Sequence, residues 1–372
     1  MKSSKNGGLL RSLSFLMIAV ILIGTIGFAA GGLQSSPNDE PDSGKSDETV
    51  GDADENTDGN QEELPELKEP EVYIPEYVNY LTGLEVSEAE SRNKPHCFVT
   101  SSDAPMYGIS KSSLVFEFPI EDGSTRLVAY QTDVKSLGKI GSIAPTRQFI
   151  TNIAEYFGGV ILSFGNDDSV KYDSYAEGVE SFDFSKQTGY HYTEHNQFIY
   201  TNGDLISAGL GNANISTITK PKANLPFTFT DFGEDELIFE SKAEAVILPY
   251  FKSNETEFYY SKELNRYIYS KGGTPKTDML NNKSVSFDNV FILLSDSITY
   301  ETAKTSELVM DTVKGGEGYY MTLGTMIKIK WSTDELGNLL LTDSNGVKLK
   351  INRGTSYFGF VKSSKAEAIS IS

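Results

Sequence analysis

The stretch Phe116–Gln131, FEFPIEDGSTRLVAYQ, restricts this chain more than any other. Two strand-length runs rich in Phe, Val, Leu and Tyr flank a turn at Gly123, the pattern of a β-hairpin with buried arms. Glu117, Glu121 and Arg126 nevertheless sit inside it. A charge among apolar strand residues needs a partner, so the fold must carry opposite charges to this hairpin. Residues four apart in a strand face one way, about 13 Å apart along it. Pro119, between the two glutamates, implies a bend or an edge position that shortens the gap.

Strand–helix–strand order surrounds the hairpin. QFITNIAEYFGG places Phe149, Ile150, Ile153, Ala154 and Phe157 at helical spacing and ends on Gly158-Gly159. VILSFG then reads as a strand buried on both faces. This order predicts a mixed α/β first domain over residues 77–230. Beyond the Pro- and acid-rich segment Ile218–Asp235, strand signals dominate. EFYYSKELNRYIYSK alternates like a hairpin, and Asn345-Gly346 marks a tight turn. A mainly antiparallel β domain is expected over residues 236–372, giving an α+β protein.

Two further segments precede these. Lys2, Lys5 and Arg11 lead into 22 uncharged residues, Ser12–Leu33. As a helix that run would span roughly 33 Å, enough for a hydrocarbon core. Basic residues before it predict a single pass, N-in and C-out; a signal peptide cut near Gly27–Ala29, giving a secreted protein, is the alternative. Residues 34–76 carry 15 acidic and two basic side chains and almost no large apolar ones before Tyr73. Such a segment cannot offset its ordering entropy and reads as a disordered tether. The formal net charge is −20, and it remains negative over residues 77–372. That excludes a partner bound through nucleic-acid phosphates. With one cysteine, Cys97, no intramolecular disulfide forms.

Glu117, Glu121, Arg126 and Arg147 form the best candidate constellation. Two carboxylates can serve a glycosidase; two carboxylates with two arginines also make an ionic brace. HYTEH, His191–His195, matches an inverted zinc-peptidase pattern, but its Gly and Tyr neighbours suggest a loop or strand, not the helix that chemistry needs. Asp167 and Asp168 follow a buried strand and read as a solvated turn or a weak metal site. Cys97, in an apolar strand, reads as an inert thiol. No phosphate- or dinucleotide-binding signature occurs, and no cofactor is expected.

Several stretches together resemble the YerB-like family of Gram-positive extracytoplasmic lipoproteins. These are YLTGL (Tyr80–Leu84), RNKP (Arg92–Pro95), GISKSSLVFEFPIEDGSTR (Gly108–Arg126), KIGSIAPTRQF (Lys139–Phe149), HNQFIYTN (His195–Asn202), GTPKTD (Gly273–Asp278) and KLKINRGTSYFGFV (Lys348–Val361). The densest agreement is Glu117 to Arg126. Ala144, Lys276 and Tyr357 replace an Arg, a His and a Trp of the family pattern, and no lipid-attachment Cys follows the apolar run. The resemblance adds His195 and Asn196 to the candidate ligand-binding set of Glu117, Glu121, Arg126 and Arg147. It implies an extracytoplasmic body and no established activity. The resulting expectation is a non-catalytic, membrane-tethered envelope protein that binds a cell-wall polymer or another envelope protein. The alternative is a wall-glycan hydrolase using Glu117 and Glu121.

Overall fold

The computed structural model describes residues 72–167, 179–195, 197–218, 224–252, 254–301 and 305–372. The uncharged run Ser12–Leu33, the acidic stretch as far as Glu71, Asp168 and Asn196 lie outside them. Among the described residues no helix is long and apolar enough to cross a membrane.

Both arms of the Phe116–Gln131 hairpin join one 11-stranded sheet, and the strand of VILSFG, Val160–Ser163, lies next to its edge. From one edge it runs Ser241–Lys242, Thr325–Thr333, Gly316–Thr322, Asn289–Ser295, Ser356–Lys362, Leu114–Pro119, Thr125–Gln131, His96–Ser101, Val160–Ser163 and Ser181–Asp183, with Leu339–Thr342 also on Thr325–Thr333. Ser356–Lys362 lies parallel to both its neighbours, Asn289–Ser295 and Leu114–Pro119. Strands from both parts of the sequence thus share one sheet. These three central strands are almost wholly buried, as strands covered on both faces must be.

Period-2 alternation sorts their side chains. Phe116, Phe118, Phe291, Phe358 and Phe360 point to one face, where they meet Phe149, Ile153 and Phe157 of the segment carrying helix Gln148–Tyr156. Phe116, Phe358, Phe291 and Tyr320 stack in sequence across four strands, centroids 4.4–4.8 Å apart. Such cross-strand aromatic pairs fix register. Val115, Val290, Ile292 and Tyr357 point to the other face. They meet Phe258, Tyr267 and Tyr269 of a second, six-stranded sheet, and the same core includes Ile206 and Leu210 of helix Gly203–Asn212. Thr256–Ser261 and Arg266–Lys271 form the expected hairpin, with Phe258 opposite Tyr269 and Tyr260 opposite Tyr267.

The expected mixed α/β first domain does not form. The α-helices among the described residues have four, nine and ten residues, too little to cover a sheet on both faces. The strand after helix Gln148–Tyr156 is parallel to His96–Ser101, so the order did signal a parallel pair. A second sheet, however, covers much of the face that an α/β protein would give to helices. The protein is mostly β; the β-rich second part agrees with expectation.

Candidate functional site

The hairpin's charges separate because strand alternation and the turn that follows Pro119 send them different ways. Glu117 follows Phe116, so it points away from the aromatic stack and toward the second sheet. It is 0% exposed. Its partner is Lys271, the last residue of Arg266–Lys271, whose Nζ lies 3.0 Å from Oε1. Tyr267, Tyr269 and Lys271 share one inward face of that strand. The hydroxyls of Thr125 and Thr256 donate to Glu117 Oε1 at 2.5 and 2.9 Å. Both also accept from Lys271 Nζ, at 3.3 and 3.0 Å. Tyr357 donates its hydroxyl to Oε2 at 2.7 Å. Burial, and then the negative charge of Glu117, hold the Tyr250 and Tyr357 phenols far above their ordinary pKa, which keeps them protonated. A buried ion pair enclosed by hydroxyl donors ties residues 117 and 125 to residues 256, 271 and 357.

Glu121 lies beyond the strand end, in the turn. Arg147 grips it with two bonds of 2.6 and 2.7 Å, and the Leu308 N–H donates to it at 3.1 Å. Burial opposes its charge, but these donors outweigh burial and hold the carboxyl down to about 2. Arg147 Nε also lies 2.6 Å from Asp167 Oδ2. There burial dominates and raises the Asp167 pKa, against the pull of Arg147 and Arg126.

Arg126 pairs in register with Phe118, not with Glu117, and so faces away from Glu117. Its electrostatic neighbours include Asp167, which favours its charge, and Arg147, which opposes it; burial lowers its pKa. Among the described residues no carboxylate is within ion-pair distance of it. His195 occupies an exposed left-handed turn, φ 52°, between strands Tyr192–Glu194 and Phe198–Thr201 of a separate three-stranded sheet. HYTEH is therefore strand and turn, and its two histidines do not share a helix face.

The candidate residues thus divide into a Glu117 centre, a Glu121–Arg147–Asp167 centre with Arg126 beside it, and the distant turn of His195. Sequence reading missed Lys271, which was not singled out in its strand. The signal was its spacing: positions 267, 269 and 271 alternate inward, so a Lys there needs a buried anion. Cys97 is fully buried, and burial pushes its thiol far up, as an inert thiol requires.

Models of two domains match the chain: the N-terminal domain of a protein of unknown function, DUF3048, over residues 81–216, and its C-terminal domain over residues 246–358. The chain belongs to the DUF3048 family. A crystal structure of the YerB protein from Bacillus subtilis aligns with a TM-score of 0.68 at 20% identity, covering 78% of this chain and 98% of that one. At that identity the likeness concerns the fold. Both glutamates lie within the family's N-terminal domain, and Lys271 and Tyr357 lie within its C-terminal domain, so the Glu117 centre joins the two. No curated protein matches the chain.

Proposed function

We propose that this member of the family is a non-catalytic, extracytoplasmic envelope protein. Ser12–Leu33 holds it at the outer face of the membrane, the acidic segment spaces it from the bilayer, and the body binds a wall polymer or another envelope protein. The observation that supports a non-catalytic role is the saturation of both hairpin glutamates. A glycosidase needs two carboxyl groups about 5–10 Å apart lining a groove that admits a sugar. Glu117 is wholly enclosed by Lys271 and three hydroxyls, and Glu121 is clamped by Arg147 in a different centre. The hydrolase alternative has no accessible acid–base pair among these residues.

Two measurements test this reading. External protease on intact cells should digest the body, and purified wall sacculi should sediment it or a crosslinked envelope protein should accompany it. A body protected behind the membrane, or glycan cleavage that disappears in Glu117→Gln with folding intact, would overturn it.

A further inference from the structure

A cleft of about 530 Å³ opens at one end of the large sheet. There strands Asn289–Ser295 and Ser356–Lys362 end side by side, Ser295 opposite Lys362. Beyond that pair the two chains part. One enters the ribbon Ser297–Glu301/Ser306–Met310, and the other turns into the 3₁₀ segment Ser363–Ala368. Ser297, Ile298, Lys362, Ser363 and Ser364 line the space between them. Among the described residues the ribbon's first strand pairs with Ser306–Met310 alone. Just before it, the Asp311 N–H bonds the Asp296 carbonyl. Alternation from that bond turns the main-chain groups of Ile298 toward the partner strand and those of Ser297 and Thr299 outward. The cleft therefore sits at the end of an open strand edge.

The charges on its walls are unevenly satisfied. Asp296 Oδ2 lies 3.4 Å from Lys314 Nζ, and Asp311 Oδ1 accepts from the Val313 and Lys314 N–H groups at 2.9 Å each. Lys362 has no carboxylate within ion-pair distance among the described residues. It is half-buried, and burial, followed by the charge of Lys365, lowers its pKa. Its ammonium is not sealed in and keeps solvent contact at the cleft. Exposed Ser363 and Ser364 add hydroxyls beside it, and Ile298 and Val309 add apolar surface. A cation short of an anion, at the end of an edge with free amides and carbonyls, matches one end of a polypeptide: a terminal carboxylate for the ammonium and a main chain for the edge.

We propose that this cleft receives the C-terminal carboxylate of another envelope protein, whose last residues add a strand to Ser297–Glu301. The carboxylate meets Lys362 at the Ser297 end, so the incoming strand runs antiparallel to Ser297–Glu301. Wall stem peptides also end in carboxylates, but they alternate L and D residues, and a regular strand needs one handedness. The proposal rests on the envelope-protein reading for the source of the tail, and the cleft supplies the recognition.

The full 372-residue chain, held in detergent, is titrated by fluorescence anisotropy against a fluorescein-labelled L-pentapeptide of alternating Thr and Val with a free terminal carboxylate, and against its C-terminal amide. Wild type should bind the acid, and the amide should bind about tenfold more weakly or worse. Lys362→Met keeps the aliphatic stem and should also weaken binding about tenfold, with Lys362→Arg restoring most of it. Thr299→Pro deletes an outward N–H, which an edge strand tolerates, and should weaken binding with the melting temperature kept. No binding by wild type, equal binding of acid and amide, or full affinity in folded Lys362→Met and Thr299→Pro overturns the proposal. So does diacetyl-L-Lys-D-Ala-D-Ala binding as tightly as the pentapeptide. In-cell crosslinking separates the two readings. Peptide binding with no crosslinked envelope protein supports recognition by the cleft and overturns the envelope-protein reading. A crosslinked protein retained in Lys362→Met, with no peptide binding, supports that reading and overturns the cleft.

Discussion

Lys271→Met provides the sharpest test of the buried centre. The substitution keeps an unbranched chain of similar volume and deletes the only cation within 4 Å of Glu117 among the described residues. Breaking a buried ion pair by removing one partner costs about 3–5 kcal/mol, because the remaining charge stays buried. Glu117 would still accept from Thr125, Thr256 and Tyr357, which puts the expected loss near the low end, about 3 kcal/mol. Glu117→Gln strands the ammonium between two threonine oxygens and should cost at least about 3 kcal/mol. Together the two should lose about 3–4 kcal/mol, not the additive 6 or so, a coupling of about 2–3 kcal/mol. Urea unfolding of a chain beginning at Val72 measures this. Trp331 is the sole tryptophan, is 2% exposed, and donates its indole N–H to the Leu294 carbonyl, so its fluorescence reports the central sheet. Far-UV circular dichroism should give a coincident midpoint with an unchanged slope against urea. A loss below about 1 kcal/mol for Lys271→Met, or additive singles, would refute the reasoning.

Arg147→Ala should destabilise by about 3 kcal/mol, since it removes the cation that both Glu121 and Asp167 hold, whereas Arg126→Ala, which breaks no close ion pair among the described residues, should cost less; thermal melts showing the reverse order would contradict the geometry. Acid should unfold the protein in two stages. His96 has a folded pKa of about 4 against its ordinary 6.5, so the native state binds fewer protons and stability falls between those pH values, by about 3 kcal/mol. Glu121, held down to about 2 from 4.5, contributes stability that is present above its ordinary pKa and lost below it, toward pH 2. Urea midpoints measured from pH 7 to pH 2.5 should lose the first stage in His96→Phe and weaken the second in Glu121→Gln. Chains starting at Gln34 and at Val72 should melt within error of each other; a difference of several degrees would mean that the acidic segment contributes to the fold.

Local signals read directly into this structure. Apolar spacing and a Gly-Gly stop located helix Gln148–Tyr156, and alternation located the hairpin that pairs Phe258 with Tyr269. Asn345-Gly346 does form a turn, with the Asp343 N–H bonded to the Val347 carbonyl. Long-range pairing was not legible. No local feature places Ser356–Lys362 beside Leu114–Pro119, more than 230 residues earlier, and the mixed α/β expectation failed because the second sheet occupies a face that strand–helix alternation seemed to assign to helices. The brace was half visible. Embedded glutamates demanded cations, but the nearer arginines were the obvious choices, and only Arg147 to Glu121 matched. Glu117 instead found Lys271, 154 residues away. The substitution of Tyr357 for the family's Trp reads as a departure in sequence; in space it supplies a hydroxyl to Glu117.

The position of Ser356–Lys362 carries a consequence for biogenesis. It is the last of the large sheet's strands in chain order, yet it fills a central slot. A polypeptide made from its N-terminus therefore presents two open hydrophobic edges, Leu114–Pro119 and Asn289–Ser295, until that strand arrives. Neither half-sheet can close over the gap, and exposed edges of this composition invite pairing between chains. Assembly of the large sheet is thus expected to wait for the end of the chain, with the earlier strands held unfolded or chaperoned until then. A chain stopped at Gly354 should aggregate or leave the amides of residues 114–131 open to hydrogen exchange. If it stays monomeric with those amides protected, the sheet does not depend on its last strand.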